Sequence, residues 1–588
     1  MYRVLVRNPC TEYWGSGTTN LKPALTYRLG FVSWNEVPIM ATKSPKFKSV
    51  FTLGGVAAEA DDLRIEAFYN SSDYAVISSR TDPRCFIIGR TGSGKSAALQ
   101  HLQDDHPGHV IRINPENLAL PYITNLQLIQ KLDRLEVDLD LFWSMLWKHV
   151  LLIEIIKHRY HVNSATAKQN FFTNLREKIK SDHTKRQALD YLEQFEDRFW
   201  EDTDVRIRGI TESFRQRVDE AAGVQLKKLG VGVAAEGGKE SENFVETRRE
   251  EADRYQRIVN DNQLTRLNAM LDVLDEYILD DDQNFTYVVI DDLDREWVDE
   301  RITNDLIRCL FRTVLDLKRV GNLKILVALR TNIFQELDFG RKSRGQEEKF
   351  RGLVLDLKWS STDLEEMLDE RVNVAAAKVG LTAKTMDDLL PNPNKTRGNA
   401  LDYIIDRTLM RPRDAIAFSN ECFIAGADKN KLTWEDIQEA EPRYSGKMLL
   451  SLRDEWKSTY PSIDKALEKF RGSPMKMTRE DLTPRLDEIL LLVSDPKIAG
   501  VGWLTAVSNE MWNSPPGIYD FKVYQPLLEI LYSTGLVGCA TRDRADPVYY
   551  FEDPQYITRE STFTKALFFH LHRTYHAGLE IKPGALNS

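Results

Sequence analysis

The sequence predicts an α/β protein: a parallel-sheet core interrupted by a long helical insertion, then a helical lid and a C-terminal winged-helix-like domain. Three observations point there. The β-type runs Cys85–Ile88 and His109–Ile113 flank a helix that starts at Ser96. Far downstream, the run Phe285–Ile290 precedes apolar residues at helical spacing, Ile302, Leu306, Leu310, Val314 and Leu317, and a further strand, Leu323–Leu329. Right-handed crossovers then bring the strand ends to one edge, where open α/β sheets collect their ligands.

At 588 residues the chain exceeds one hydrophobic core, so several units share the polypeptide. Hydrophobic residues at 42% and charged residues at 29% match ordinary globular domains. A net charge of −10 and a pI near 5.7 supply no global attraction to nucleic acid or anionic membrane, so DNA contact is disfavoured unless it is local. The five cysteines are scattered, without a CxxC pair; neither a disulfide framework nor a zinc site is indicated, and a reducing cytoplasm fits. The most apolar helix candidate, Leu139–Ile156, carries Asp140, Lys148, His149 and Glu154 and is too short and polar to span a bilayer.

In chain order, residues 1–45 form an arm without sustained periodicity, which includes a second methionine at Met40. The first part of the core covers 46–130, with a helix expected at Ala57–Phe68. The insertion covers 131–282. There Phe142, Leu146, Val150, Ile153 and Ile156 recur at spacings of three and four, as do Tyr255, Ile258, Leu267, Met270, Leu274 and Ile278. Its glycine-rich passage Leu229–Gly238 reads as a linker or as a contact loop. The core resumes over 283–360, a lid follows over 361–445, and 446–588 closes the chain. In that last part, helices at Leu482–Val493, Gly502–Met511 and Tyr524–Thr534 precede a strand at Val548–Phe551, a winged-helix-like order.

Gly89, Arg90, Thr91, Gly92, Ser93, Gly94, Lys95 and Ser96 satisfy G-x-x-x-x-G-K-[ST] between a strand and a helix, followed by Ala97. Chance produces the pattern in about 2% of chains this long before that context is required. Glycines let backbone N–H groups curl around phosphates, Lys95 reaches the β and γ phosphates, and the Ser96 hydroxyl holds Mg²⁺. The second half is the strand Tyr287–Ile290 ending in Asp291 and Asp292. Asp291 is placed to bind Mg²⁺ through water, and Asp292 to orient the attacking water. Asp292 is one methylene shorter than a glutamate there, so slow ATP hydrolysis is expected. Arg330, at the end of the next strand, is a candidate γ-phosphate sensor, with pairing to Asp294 as the plain alternative. Arg411 and Arg413 flank Pro412 at a helix start, where a second sensor would sit; capping and surface pairing are the alternatives. Arg341, Arg344 and Arg351 are arginine-finger candidates on a charged loop. The third C-terminal helix presents Gln525, Glu529, Tyr532 and Ser533, with Lys522 the nearest base, which favours packing over DNA reading.

With these motifs and the long insertion between them, the chain from about residue 50 resembles KAP-type and STAND-type P-loop NTPases of bacteria. Arg330 matches the strand-end arginine of STAND proteins, and Arg411–Asp414 resembles the helix start of related ATPases. The resemblance implies a P-loop core of the ASCE or AAA+ kind and an ATP- and Mg²⁺-dependent switch or assembly ATPase, with a protein partner or self-assembly, of a type found in antiphage defence. Many KAP proteins carry transmembrane helices in the insertion, and this one has none, so membrane function is not carried over. The competing expectation is a DNA-acting loader or motor on the same pocket. No NKxD or LSGGQ-like run supports a GTPase or ABC reading.

Overall fold

The computed structural model describes residue 47 and residues 51–115, 127–160, 165–180, 264–293, 300–337, 350–498, 500–512 and 521–582, with isolated positions between 212 and 256. The expected arm, the Leu229–Gly238 passage, Asp294, Arg341 and Arg344 lie outside the described residues.

The core is a five-stranded parallel sheet. β1 (Phe86–Gly89), β2 (Val110–Ile113), β3 (Thr286–Ile290), β4 (Leu323–Arg330) and β5 (Val354–Asp356) lie in the order β2-β3-β4-β1-β5. β1 and β3 are buried along their whole length, as strands covered on both faces must be. Their alternation still assigns the faces. Phe86, Ile88, Val288 and Ile290 share one core with the insertion, whereas Ile87, Tyr287 and Val289 share the other with the first helices. Those helices are α1 (Ser72–Ser78) and α2 (Lys95–Asp105), the latter presenting Ala98, Leu99 and Leu102.

Within the insertion, α3 (Asp140–Tyr160) is buried on nearly every side and packs on α4 (Glu300–Leu317), which joins β3 to β4. The polar residues of α3 are satisfied inside: Asp140 accepts from Arg308 and Arg312 at 2.6 and 2.7 Å, and Lys148 pairs with Asp316 at 2.6 Å.

After β5, α5 (Ser361–Val379) begins at a reciprocal Ser360–Asp363 capping box and stops at the left-handed Gly380. α6 (Pro412–Ala425) has its proline in the first turn, as expected, and α7 (Trp434–Trp456) is capped by Thr433 and runs unbroken through the lid boundary expected at residue 445. Helices α8 (Arg479–Leu490), α9 (Gly502–Trp512) and α10 (Gln525–Ser533) follow, with an antiparallel sheet of β6 (Lys476–Thr478), β7 (Val537–Ala540) and β8 (Phe568–Leu571) in the order β6-β8-β7.

Two expected elements are corrected. Ala57–Phe68 is not a helix: only Ala58–Ala60 makes a short 3₁₀ turn. Asp61 accepts from the amides of Gly55 and Leu63 and pairs with Arg371 at 2.7 Å, a local polar alternative to helical bonding. Val548–Phe551 is not a strand either. Only Val548 bridges Cys539, while the Tyr549 amide turns to Glu552 and the sheet instead takes Phe568–Leu571 as its middle strand.

Candidate functional site

Gly89 ends β1 in register with Arg330 of β4, and the loop from Gly89 to Gly94 turns directly into α2. Its glycines are required. Gly92 and Gly94 sit at φ of +83° and +95°, and a Cβ on Gly89 would stand 2.4 Å from the Ser93 hydroxyl. Lys95 opens α2 and folds its ammonium back over the loop, donating to the carbonyls of Gly89 at 2.7 Å and Arg90 at 3.1 Å. Ser96 and Ala97 complete the first turn, so the positive end of the α2 dipole faces the loop.

The carboxylates lie across β4, which separates β1 from β3. Asp291 follows β3, is 13% exposed, and accepts the amide of Asp292 at 2.9 Å. Burial pushes its carboxyl above the usual range, while a hydrogen bond from the Ser96 hydroxyl pulls the other way, so Ser96 and Asp291 come together as the motifs require. Arg112 of β2 reaches within 3.9 Å of Asp291, a contact that nothing in its sequence neighbourhood announces. Asp292 takes a left-handed φ of 60°, a conformation aspartate tolerates better than most residues. Arg330, at the end of β4, therefore stands at the edge between the glycine loop and the two aspartates. Among the described residues no group of three or more His, Cys, Asp and Glu side chains gathers to hold a metal unaided. Ser96 and Asp291 form the kind of sparse donor pair that suits Mg²⁺, which is completed by phosphate and water oxygens.

Residues from beyond β4 in the chain grip this loop. Arg411 precedes α6, is 4% exposed, and donates to the Thr91 carbonyl at 2.9 Å, to Asp414 at 2.8 Å and to Glu455 at 3.1 Å. Burial opposes the guanidinium charge, but Asp414 and Glu455 outweigh it; burial likewise opposes the Glu455 charge, and Arg411 and Arg90 hold that carboxyl below its usual range. Arg411 is thus built into a buried network against the loop. Arg413 lies along Gly92, where an added Cβ would meet its side chain at 3.0 Å, and its Nε donates to the Val56 carbonyl at 3.2 Å. Trp359 donates its indole N–H to the Ser93 carbonyl at 2.8 Å, and Arg90 donates to the Thr534 carbonyl of the C-terminal region at 3.2 Å. Sequence reasoning singled out neither Trp359 nor Glu455, since each is a lone residue of common type outside any motif. A cavity of about 270 Å³ opens beside the loop, walled by Phe334, Trp359, Met410 and Tyr550 together with Arg90 and Arg411.

Of the finger candidates, Arg351 is exposed just before β5. On α10, Gln525 bonds Glu529 at 3.0 Å, Tyr532 is buried with its hydroxyl on the Asp553 carbonyl, and nearby Lys522 pairs with Glu560 at 2.7 Å. That side of the helix is engaged within the chain.

Three similarities to known proteins are found. Residues 362–453 match the FunZ-associated C-terminal helical domain. The matched segment is α5 to α7, the part that carries Arg411 and all but the last three residues of α7, with Glu455 just beyond it. Along nearly the whole chain there is similarity to the putative transposon gamma-delta 80.3 kDa protein of Escherichia coli (strain K12), 22% identical over 557 residues that cover 91% of this chain and 67% of that one. A shorter similarity, 25% over 175 residues, covers 29% of this chain and 90% of Allergen Alt a 2 from Alternaria alternata. Among the described residues no helix is long and apolar enough to cross a membrane.

Proposed function

We propose that this chain binds ATP at the Gly89–Ser96 loop and hydrolyses it slowly as a regulatory switch or assembly ATPase. The observation that carries the reading is the juxtaposition of Lys95, Ser96 and Asp291 at one edge of a parallel sheet ordered β2-β3-β4-β1-β5. Lys95 exchanges its two loop carbonyls for the β and γ phosphates. Ser96 and Asp291 would hold Mg²⁺, which neutralises charge across those phosphates. Asp292 orients the attacking water, and Arg330 meets the γ-phosphate.

The switch part rests on the grip described above: Arg411 and Arg413 from the lid, Trp359 from just before it and Thr534 from the C-terminal region all meet consecutive loop residues. Phosphates that re-form this loop bias the arrangement of the domains around it. A switch of this kind is what the KAP and STAND resemblance implies, and by analogy with those families its setting would be bacterial antiphage defence, with a protein partner or further copies of itself.

A DNA-acting ATPase is the second reading, favoured by the word transposon in the name of the Escherichia coli relative. One experiment separates them: ATP hydrolysis and oligomeric mass of wild type and Lys95→Ala, with and without DNA. Hydrolysis lost in the variant, indifferent to DNA and coupled to a change of mass supports the switch. Strong stimulation by DNA without such a change supports the motor. Wild-type hydrolysis equal to that of Lys95→Ala removes both.

A further inference from the structure

A second polar cavity, of about 180 Å³, opens at the opposite edge of the same sheet, under the amino ends of β1 and β4. Its wall carries Arg80, Asp82, Lys318 and Lys324, with Cys85 at its inner side. The charge is one-sided. Asp82 is already held bidentate by Arg84, at 3.0 and 2.7 Å, which leaves Arg80, Lys318 and Lys324 with no carboxylate of their own among the described residues. Arg80 donates to the Asp282 carbonyl and stacks over Phe285, and Lys318 donates to the Pro83 carbonyl.

Lys324 is the unusual member. It is only 6% exposed, on a central strand, and two of its three ammonium protons go to the carbonyls of Val76 and Ser79 at the end of α1, at 2.7 and 2.5 Å. Those bonds fix α1 against the sheet but do not neutralise the charge. Burial, with Arg84 and Lys318 adding to it, drives the ammonium down to about 8 against the pull of Asp82 and Cys85. A buried cation whose nearest carboxylate, Asp82, is already engaged bidentate by Arg84, in a polar cavity with two further cations, is costly unless an anion fills it.

We infer that this cavity is a binding site for a small oxyanion, with Lys324 at its floor and Arg80 and Lys318 at its mouth. The three cations come from the segment before β1, from just beyond the end of α4 and from β4, so an anion there ties together three elements of the core at the edge away from the glycine loop.

The test is calorimetric titration of inorganic sulfate into the full chain carrying Lys95→Ala, so that the glycine loop contributes little. One-to-one uptake is expected, weakened about tenfold by Lys324→Met and severalfold by Lys318→Ala or Arg80→Gln, both exposed positions that leave the fold in place. Uptake should fall as pH rises through about 8 and lose that dependence in Lys324→Arg. Acetate in place of sulfate decides between carboxylate and tetrahedral oxyanion. Absence of uptake, or uptake unchanged in both mouth variants and in Lys324→Met, overturns the inference.

Discussion

Arg411→Met separates a structural lock from a waiting sensor. The wild-type guanidinium is buried and spends its donors on Asp414, Glu455 and the Thr91 carbonyl. Methionine fills similar space but leaves two carboxylates in a site where Asp414 is fully buried and Glu455 is 12% exposed. Breaking one partner of a buried ion pair costs about 3–5 kcal/mol, because the remaining charge stays uncompensated. At about 1.4 kcal/mol per decade, local opening of α6 becomes two to three and a half decades more frequent. Amide hydrogen exchange along Pro412–Ala425 reads this directly. Adding Asp414→Asn and Glu455→Gln to Arg411→Met removes the stranded charges and recovers most of the protection, whereas each of those changes alone does not mimic Arg411→Met in the Gly89–Ser96 loop. If Arg411→Met changes exchange in α6 by less than about fivefold, the guanidinium contributes under about 1 kcal/mol and the lock is refuted.

Gly89→Ala places a methyl 2.4 Å from the Ser93 hydroxyl, so it strains the loop by about 1–3 kcal/mol; thermal unfolding should show the loss and Ser93→Gly should return much of it. Trp359→Phe removes the N–H that holds the Ser93 carbonyl, a bond worth about 1 kcal/mol, and on the proposed function nucleotide affinity measured by fluorescence titration changes about fivefold while Trp359→Leu changes it further. The C-terminal sheet should be acid-labile. Burial lowers the imidazoles of His570, to about 4, and of His572 and His576, so the folded state refuses protons that the unfolded chain accepts. That stability is present above about pH 6.5 and drains as pH falls toward 4, with His570 accounting for at most about 3 kcal/mol; His570→Gln should flatten the melting temperature between pH 7 and 4.5.

The glycine-rich loop and the strand-end aspartates were legible because each needs residues adjacent in sequence. A loop that must take left-handed backbone at Gly92 and Gly94 between a buried strand and a helix leaves its mark within ten residues. The misread elements have the opposite character. Val548–Phe551 has strand composition, yet β7 pairs with Phe568–Leu571, some thirty residues away, because pairing is decided by which segment the packed helices bring alongside. The apolar and acidic pattern at Ala57–Phe68 looks helical until Asp61 finds Arg371, more than three hundred residues downstream.

From sequence alone came the first four strands of the core in their order along the chain, the position of Lys95 and Ser96 at the start of α2 and of Asp291 and Asp292 at the end of β3, and the start of α6 at Pro412. Local backbone preference and the period of burial act over a few residues, so they are written in adjacent positions. Tertiary structure alone decided that β4 lies between β1 and β3, that Arg411 is committed to Glu455 and Asp414, that Trp359 and Arg90 bind the glycine loop to the rest of the chain, and that Lys324 is buried beside a polar cavity. These depend on contacts between residues far apart in the chain, whose partners are chosen by packing and by the need to satisfy every buried charge and hydrogen bond.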